Sequence, residues 1–245
     1  ADSYGAYTCE DQFGRVISNK KVKREEIVLF TKCGLKMPHA GDSTTRVRHY
    51  DTSASHIHAS VDLSLRRLRT DYIDIFLLDH LDPISNLEET AMTLEKLVKE
   101  GKINSIGVAN FSVFQHQLLA SYLRTPIVTH HLELNLLNTS ALDNGQLDYI
   151  KQRYMRPLAS APVAAGRIAA GSDGHAERVR KKLESIAPKY NVDIESIAVA
   201  WLIKLGALPL IGTKEEKRIR NIVNAFELDL DHQDWYDLYF ASKDE

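Results

Sequence analysis

Residues 73–80 read IDIFLLDH, and this stretch decides the fold class. Its first part is almost wholly apolar and does not alternate with polar residues. Strands that are buried on both faces have this pattern, and they lie in parallel sheets covered by helices. Two polar residues, Asp79 and His80, follow directly. The stretch therefore predicts a buried parallel strand that ends in a polar pair.

Outward from this stretch, β-rich runs alternate with amphipathic stretches of helical period. The strand runs are Ile27–Thr31, Ile73–Leu78, Ile103–Val108, Ile127–His131, Pro157–Ala161 and Leu208–Ile211. Helices are predicted over Ser53–Arg69, Leu87–Glu100, Ser112–Leu123, Leu142–Arg153, Ala176–Tyr190, Ile194–Leu205 and Glu215–Ala225. Repeated strand–helix alternation is typical of right-handed βαβ units. The sequence therefore predicts an α/β protein.

The composition is that of a globular chain, with 44% hydrophobic and 26% charged residues among 245. Lys and Arg number 31 and Asp and Glu number 33, so the net charge is −2. This balance argues against nucleic-acid-coating and polybasic membrane proteins. No apolar run approaches the roughly 20 residues of a membrane span, so we expect no nucleic-acid or membrane partner. Two cysteines cannot form a disulfide framework, which favours the reducing cytoplasm.

Two observations favour a TIM (β/α)8 barrel over an open, doubly wound sheet. No glycine-rich G-x-G-x-x-G turn follows a predicted strand, although open sheets that bind nucleotides use one. Polar residues follow nearly every strand, and a barrel brings strand ends to one mouth, where active sites lie. Those residues are Lys32, Asp79, His80, Asn110, His130, His131, Ser160, Gly212 and Thr213. One barrel takes about 250 residues, so we expect a single domain over residues 1–245.

Three residues with reactive side chains each have a functional and a structural interpretation. Lys32 ends an apolar strand, where its charge can act on a neighbour or its side chain can extend to solvent. His80 ends the next predicted strand and could be a structural histidine. Tyr4 precedes a predicted helix and could simply pack against it. Taken singly, these residues leave both interpretations open.

The motifs around these residues carry more information than the residues alone. They are ADSYG at 1–5, FTKCG at 30–34, TDYIDIFLLDH at 70–80, GKI at 101–103, IGVANF at 106–111, RPL at 156–158 and PLIGT at 209–213. In this order they resemble the aldo-keto reductase family, in particular its bacterial members, over essentially the whole chain. The family places two strands before its tyrosine motif. We therefore expect that this chain lacks an N-terminal segment and that its barrel is incomplete there.

The resemblance implies an NADPH-dependent enzyme that reduces aldehydes or ketones. In the family, a tyrosine gives a proton to the carbonyl oxygen as hydride arrives at the carbon, a lysine ammonium favours the phenolate, and a histidine orients the carbonyl. These roles would fall to Tyr4, Lys32 and His80. The aspartate that pairs with the lysine in the family lies upstream of the tyrosine, at a position that here would precede Ala1.

The resemblance also implies a cofactor site. The residues that match it are Asn110, His131 and Ser160 for the nicotinamide, Gly166 and Arg167 for the pyrophosphate, Gly212 after the last strand, and Thr213, Lys214 and Arg218 for a 2′-phosphate. The cations of the last group favour NADPH over NADH, although residues 214–218 could also be a solvated helix face. The pattern departs from the family at Ala109, where serine is usual, and at His131, where glutamine is usual. Ser160 stands where an aromatic residue usually stacks on the nicotinamide.

The sequence thus predicts an aldo-keto reductase-like oxidoreductase that acts on a small carbonyl compound, as a monomer or a homo-oligomer. The alternative is a catalytically impaired relative that serves as a dinucleotide-binding or interaction module, which the departures at Ala109, His131 and Ser160 support. No metal is expected. His56 and His58 would face apart on a helix, and neither Cys-x-x-Cys nor His-Glu-x-x-His is present.

Overall fold

A computed structural model of the chain describes residues 1–19, 22–39 and 41–243. The strands are β1 (Phe30–Cys33), β2 (Leu35–Lys36), β3 (His49–Tyr50), β4 (Ile73–Asp79), β5 (Ile103–Ala109), β6 (Ile127–Glu133), β7 (Arg156–Ser160) and β8 (Leu208–Pro209). The helices are α1 (Tyr4–Tyr7), α2 (Cys9–Ser18), α3 (Ala54–Leu68), α4 (Leu87–Lys99), α5 (Val113–Tyr122), α6 (Ser140–Asp143), α7 (Gln146–Gln152), α8 (Arg167–Ala170), α9 (Gly174–Tyr190), α10 (Ile194–Lys204), α11 (Glu216–Asn224) and α12 (His232–Lys243). The chain forms two compact units, Ala1–His130 and His131–Glu245, called the first and the second unit below.

Parallel strands form the centre of the first unit. β1, β4 and β5 are neighbours in that order, and β6 begins beside β5. The β1–β4 and β4–β5 pairs are both parallel. Phe76 on β4 and Ile106 on β5 are fully buried. The parallel pairing and the burial of β4 together confirm the strand that the sequence of residues 73–80 predicts.

Side-chain caps determine where the main helices of the first unit begin. Ser53 Oγ accepts a hydrogen bond from the backbone N–H of His56 at the start of α3. Asn86 caps α4 in the same way, and Ser112 and Gln115 form a reciprocal capping box at α5. Such caps satisfy N–H groups that have no partner inside the helix. The predicted starts of these three helices lie within one residue of the observed ones.

A short antiparallel hairpin follows β1. Its strands β2 and β3 pair with Leu35 opposite Tyr50 and Lys36 opposite His49. The sequence does not predict this hairpin, because two-residue strands are too short to leave an alternating pattern. The hairpin brings the Tyr50 ring against the ring of His80.

In the second unit, the end of β6 is followed by β7 and β8 in that order, and β7 and β8 are parallel. The helix α10 is buried over most of its surface, as expected of an almost wholly apolar helix. Its Trp201 stacks on Trp235 of α12 with ring centroids 5.0 Å apart. Each indole N–H donates a hydrogen bond to the backbone carbonyl of the other tryptophan, at 3.2 and 3.1 Å. These contacts join α10 to α12.

All six predicted strands are present, but their ends differ. β1 spans Phe30–Cys33 instead of the predicted Ile27–Thr31. The backbone N–H of Leu29 donates to the carboxylate of Asp74 at 2.8 Å, so this N–H is not available to a strand neighbour. The sequence pattern predicts no range for α2 or α12. The single domain over residues 1–245 stays a prediction.

Candidate active site

An ion pair lies at the C-terminal ends of β1 and β4. Lys32 is opposite Leu77 in the β1–β4 register, and its Nζ lies 2.5 Å from Asp79 Oδ2. The Lys32 side chain is 12% exposed and the Asp79 side chain is 4% exposed. Removing either partner from such a pair would leave an uncompensated buried charge. The two side chains are therefore held as a unit.

Asp79 also contacts the two residues that follow β4 and β5. Its Oδ1 accepts a hydrogen bond of 2.7 Å from Asn110 Nδ2. His80 Nδ1 lies 2.8 Å from the same oxygen, although not at the angle of a hydrogen bond. Burial tends to raise the pKa of Asp79, but the charge and hydrogen bond of Lys32, the hydrogen bond of Asn110 and the nearby His80 together lower the pKa below its usual value. Asp79 is therefore ionised at neutral pH.

His80 and Asn110 both leave their strands through left-handed backbone, with φ of 65° and 60°. The His80 backbone N–H donates to the carbonyl of Ala109 at 2.8 Å. The His80 ring stacks on Tyr50 with centroids 4.4 Å apart. The backbone turn and the stacked ring together set the orientation of the imidazole.

Tyr4 lies close to the ion pair. Lys32 Nζ is 5.1 Å from the centroid of the Tyr4 ring. The backbone N–H of Asp2 donates to the Lys32 carbonyl at 3.0 Å, which ties the N-terminal segment to β1. Gly5 and Ala6 have left-handed φ of 58° and 50°, so α1 is a turn rather than a regular helix. Tyr4 is 53% exposed, so the residue is accessible to a ligand.

The structure thus brings Tyr4, Lys32, His80 and Asn110 together around Asp79. Sequence reasoning noted Asp79 as a polar residue at a strand end but gave it no role, and it placed the partner of Lys32 upstream of Ala1. The signal that could have found Asp79 is its position. It directly follows an apolar strand, and it lies beside the strand that carries the lysine.

Two of the residues matched to the nicotinamide lie in the second unit. His131 on β6 is buried. Ser160 ends β7, and its hydroxyl donates to the backbone carbonyl of Leu132 at 3.2 Å. The Ser160 hydroxyl is therefore engaged with β6 and does not offer a free donor.

The residues matched to the pyrophosphate form a left-handed turn. Ala164, Ala165 and Gly166 have φ of 51°, 53° and 89°. A Cβ on Gly166 would meet nothing within 4 Å, so the turn is open. Arg167 follows and donates to Asp173 at 2.8 Å on the surface. The backbone N–H groups of Ala164 and Gly166 donate to the carbonyls of Ala161 and Val163, at 2.7 and 3.0 Å, and that of Arg167 donates to the carbonyl of Ala164. These three N–H groups are therefore engaged within the turn.

Gly212, Thr213 and Lys214 precede α11, at the end of the helix that attracts anions. Thr213 Oγ1 accepts a hydrogen bond of 3.2 Å from the backbone N–H of Glu215, and Lys214 is exposed. Arg218 donates two hydrogen bonds to Glu195, at 2.9 and 2.6 Å. The guanidinium of Arg218 must leave Glu195 before it can contact a phosphate.

Residues 1–19, 22–39 and 41–243 hold no group of three or more His, Cys, Asp or Glu arranged to bind a metal ion. His56 and His58 both lie on α3, and His56 Nε2 is 3.4 Å from Ser60 Oγ, one helical turn away. In the same described part of the chain, no helix has the length and apolar character to cross a membrane.

Comparison with known sequences identifies the family. The model of the Aldo/keto reductase family matches residues 1–239. The chain is 36% identical over 241 residues to 6-dehydroglucose reductase from Agrobacterium fabrum, covering 98% of this chain and 80% of that protein. It is 32% identical over 239 residues to oxidoreductase YdhF from Escherichia coli, covering 96% of this chain and 79% of that protein.

Two solved structures share the fold. A thermostable aldo-keto reductase matches with a TM-score of 0.84 and 23% identity, over 98% of this chain and 80% of its own. The glycerol dehydrogenase from Gluconobacter oxydans matches with a TM-score of 0.87 and 22% identity, over 98% of this chain and 78% of its own. These matches confirm the predicted fold class, the (β/α)8-barrel type of the aldo-keto reductases. The chain belongs to the aldo-keto reductase family and is an oxidoreductase.

Proposed function

We propose that this chain is an NADPH-dependent reductase that converts aldehydes or ketones to alcohols. The observation that carries the proposal is the placement of Tyr4 and His80 beside the Lys32–Asp79 ion pair. Bound NADPH supplies the hydride for such a reduction. The residues of the chain must then provide a proton, orient the carbonyl and stabilise the charge that develops on its oxygen.

Tyr4 is the proposed proton donor. The residue is half-exposed, and the Lys32 ammonium lies near its ring. A phenol, with an ordinary pKa of about 10, is a weak acid at neutral pH. A neighbouring cation favours the phenolate that remains after proton transfer. Lys32 therefore assists Tyr4 without touching the substrate.

His80 is proposed to orient the carbonyl. Its ring is held by stacking on Tyr50, and Nδ1 is the nitrogen close to Asp79. This leaves Nε2 to bind a substrate oxygen. A ring that is fixed before the substrate arrives loses little freedom when it binds, which favours reaction.

The described residues suit NADPH. Asn110 uses its Nδ2 on Asp79, so its amide oxygen remains for the carboxamide N–H groups of a nicotinamide. In the second unit, the space beside Gly166 leaves room for a pyrophosphate, and Arg167 would have to leave Asp173 to contact it. Thr213 and the exposed Lys214, just before α11, suit the 2′-phosphate that distinguishes NADPH from NADH.

The substrate is proposed to be a small carbonyl compound. 6-Dehydroglucose, named for the relative from Agrobacterium fabrum, belongs on any substrate panel. The free cysteines, Cys9 exposed and Cys33 buried, support a cytoplasmic enzyme, because exposed thiols persist in a reducing compartment. Either a monomer or a homo-oligomer is compatible with this proposal.

Two residues matched to the cofactor are engaged within the protein: Ser160 with Leu132 and Arg218 with Glu195. The proposed reductase must therefore bind NADPH without a free Ser160 hydroxyl, and Arg218 must leave Glu195 before it can contribute. The oxidation of bound NADPH by a carbonyl compound is the property that tests the proposed function.

The cofactor preference is tested with Lys214→Met. We expect the Kd for NADPH to rise about tenfold, because one charge-assisted contact to the 2′-phosphate is lost, while the Kd for NADH stays the same. Fluorescence titration with both cofactors measures this. Lys217→Met is the matched control, since it removes an exposed lysine charge from α11, just after Lys214 in the chain. Equal losses for NADPH and NADH, or equal losses in both variants, would contradict a 2′-phosphate contact at Lys214.

A further inference from the structure

The carboxylate of Asp79 lies close to three polar groups of the proposed site. Asp79 Oδ2 is 2.5 Å from Lys32 Nζ, and Asp79 Oδ1 is 2.7 Å from Asn110 Nδ2 and 2.8 Å from His80 Nδ1. We propose that Asp79 is the positioning residue of this site, which fixes the direction of the Asn110 amide and holds Lys32 beside Tyr4. This inference rests on the function proposed above, because it concerns the same site.

The orientation of the Asn110 amide follows from which hydrogen bonds each group can donate or accept. An ionised carboxylate only accepts hydrogen bonds, whereas an amide has a donor end and an acceptor end. Asp79 therefore selects the Asn110 orientation in which Nδ2 faces the carboxylate. The opposite orientation would place two acceptors against each other. The amide oxygen is thereby left as a fixed acceptor, which is what the N–H groups of a nicotinamide carboxamide require.

The position of Lys32 depends on its counter-ion, because its side chain is largely buried. The Lys32 side chain is only 12% exposed, and a largely buried ammonium needs a counter-ion to keep its place. Asp79 provides that counter-ion from the neighbouring strand, where β1 and β4 pair in register. With the counter-ion present, Nζ stays near the Tyr4 ring. Without it, the ammonium gains by moving toward solvent, away from Tyr4.

The same strand offers a matched control. Asp74, near the start of β4, forms an ion pair of 2.7 Å with Arg24 and accepts a hydrogen bond from the backbone N–H of Leu29. Asp74→Asn and Asp79→Asn thus remove comparable carboxylates from the two ends of one strand. Only Asp79 touches residues of the proposed site.

The test is a double-mutant cycle on NADPH affinity with Asp79→Asn, Asn110→Ala and the double variant. We expect each single variant to raise the Kd about tenfold and the double variant to be little worse than either, because both remove the same oriented acceptor. Asp74→Asn should leave the Kd unchanged. Additive losses in the cycle, or a wild-type Kd in Asp79→Asn, would overturn the inference.

Turnover gives a second readout. In Asp79→Asn, kcat for aldehyde reduction should fall at least about tenfold while the KM for the aldehyde changes little, because Lys32 acts on proton transfer and not on binding. Asp79→Glu, which keeps the charge, should recover part of kcat. If Asp79→Asn does not melt cooperatively, Asp79→Ala takes its place in the affinity cycle. An unchanged kcat in Asp79→Asn, or a kcat in a folded Asp79→Glu as low as in Asp79→Asn, would contradict the role in holding Lys32.

The outcome separates this inference from the function on which it rests. If the wild type binds NADPH but reduces no carbonyl, the proposed function fails, and the affinity cycle still decides the role of Asp79. If the wild type binds no nicotinamide cofactor, both fail. If it binds and turns over but the cycle is additive, only the inference fails.

Discussion

At the ends of β4 and β5, His80 and Asn110 adopt left-handed backbone with φ of 65° and 60°. For residues other than glycine this conformation costs roughly 1 kcal/mol or more. The two turns set both side chains beside Asp79, between the strand that carries Lys32 and the strand that ends at Ala109. The two residues with strained backbone, His80 and Asn110, are thus the ones whose side chains lie against the Asp79 carboxylate.

At the same scale, Tyr4→Phe tests the proton donor. The rate of NADPH oxidation by a small aldehyde should fall about 10²–10⁴-fold, because the hydroxyl acts only where charge develops on the carbonyl oxygen. The Kd for NADPH should change little. Single-turnover kinetics and fluorescence titration measure the two quantities.

Tyr7→Phe is the control for this variant. Tyr7 lies in the same N-terminal turn, but its hydroxyl accepts a hydrogen bond of 3.0 Å from the backbone N–H of Met37. We expect a rate close to that of the wild type. An unchanged rate in Tyr4→Phe would remove Tyr4 from the mechanism, whatever Tyr7→Phe shows.

Among the elements, those with a long period or a cap signal could be predicted from the sequence, and the short ones could not. The helices α3, α4 and α5 begin within a residue of their predicted starts because Ser53, Asn86 and Ser112 cap them. The hairpin of β2 and β3 and the start of β1 depend on contacts between distant segments, such as Leu29 with Asp74. No local pattern records such contacts.

Close packing between strands gives a prediction for β5. A Cβ on Gly107 would lie 2.8 Å from Thr129 Cγ2 and 3.0 Å from Leu77 Cγ. Gly107→Ala should therefore lower the free energy of unfolding by about 1–3 kcal/mol, because the neighbours must shift. Urea unfolding measures the loss.

Gly174→Ala is the comparison. A Cβ on Gly174, the first residue of α9, would meet nothing within 4 Å. Its substitution should change the free energy of unfolding by less than about 0.5 kcal/mol. Equal stabilities of the two variants would show that Thr129 and Leu77 can make room for a Cβ at position 107 at no cost in free energy.

For the whole molecule, the order of motifs along the chain was enough to predict the family and the fold class, and the comparisons confirm both. The proposed site could be predicted only in part. Tyr4, Lys32 and His80 were candidates from motif order, but the pairing of Lys32 with Asp79 depends on the register of β1 against β4. That register is set by packing over the whole first unit, and so the role proposed for Asp79 could not be inferred from the sequence.

The central claim is that this chain transfers hydride from NADPH to a carbonyl carbon with Tyr4 as proton donor. The most direct measurement is a single turnover with NADPH deuterated at the transferring position and a panel of aldehydes that includes 6-dehydroglucose, followed by mass spectrometry of the products. We expect the alcohol formed by the wild type to carry deuterium on the former carbonyl carbon, and Tyr4→Phe to form the same labelled alcohol about 10²–10⁴-fold more slowly. Bound NADPH that yields no labelled alcohol from any carbonyl, or equal rates in the two proteins, would contradict this claim.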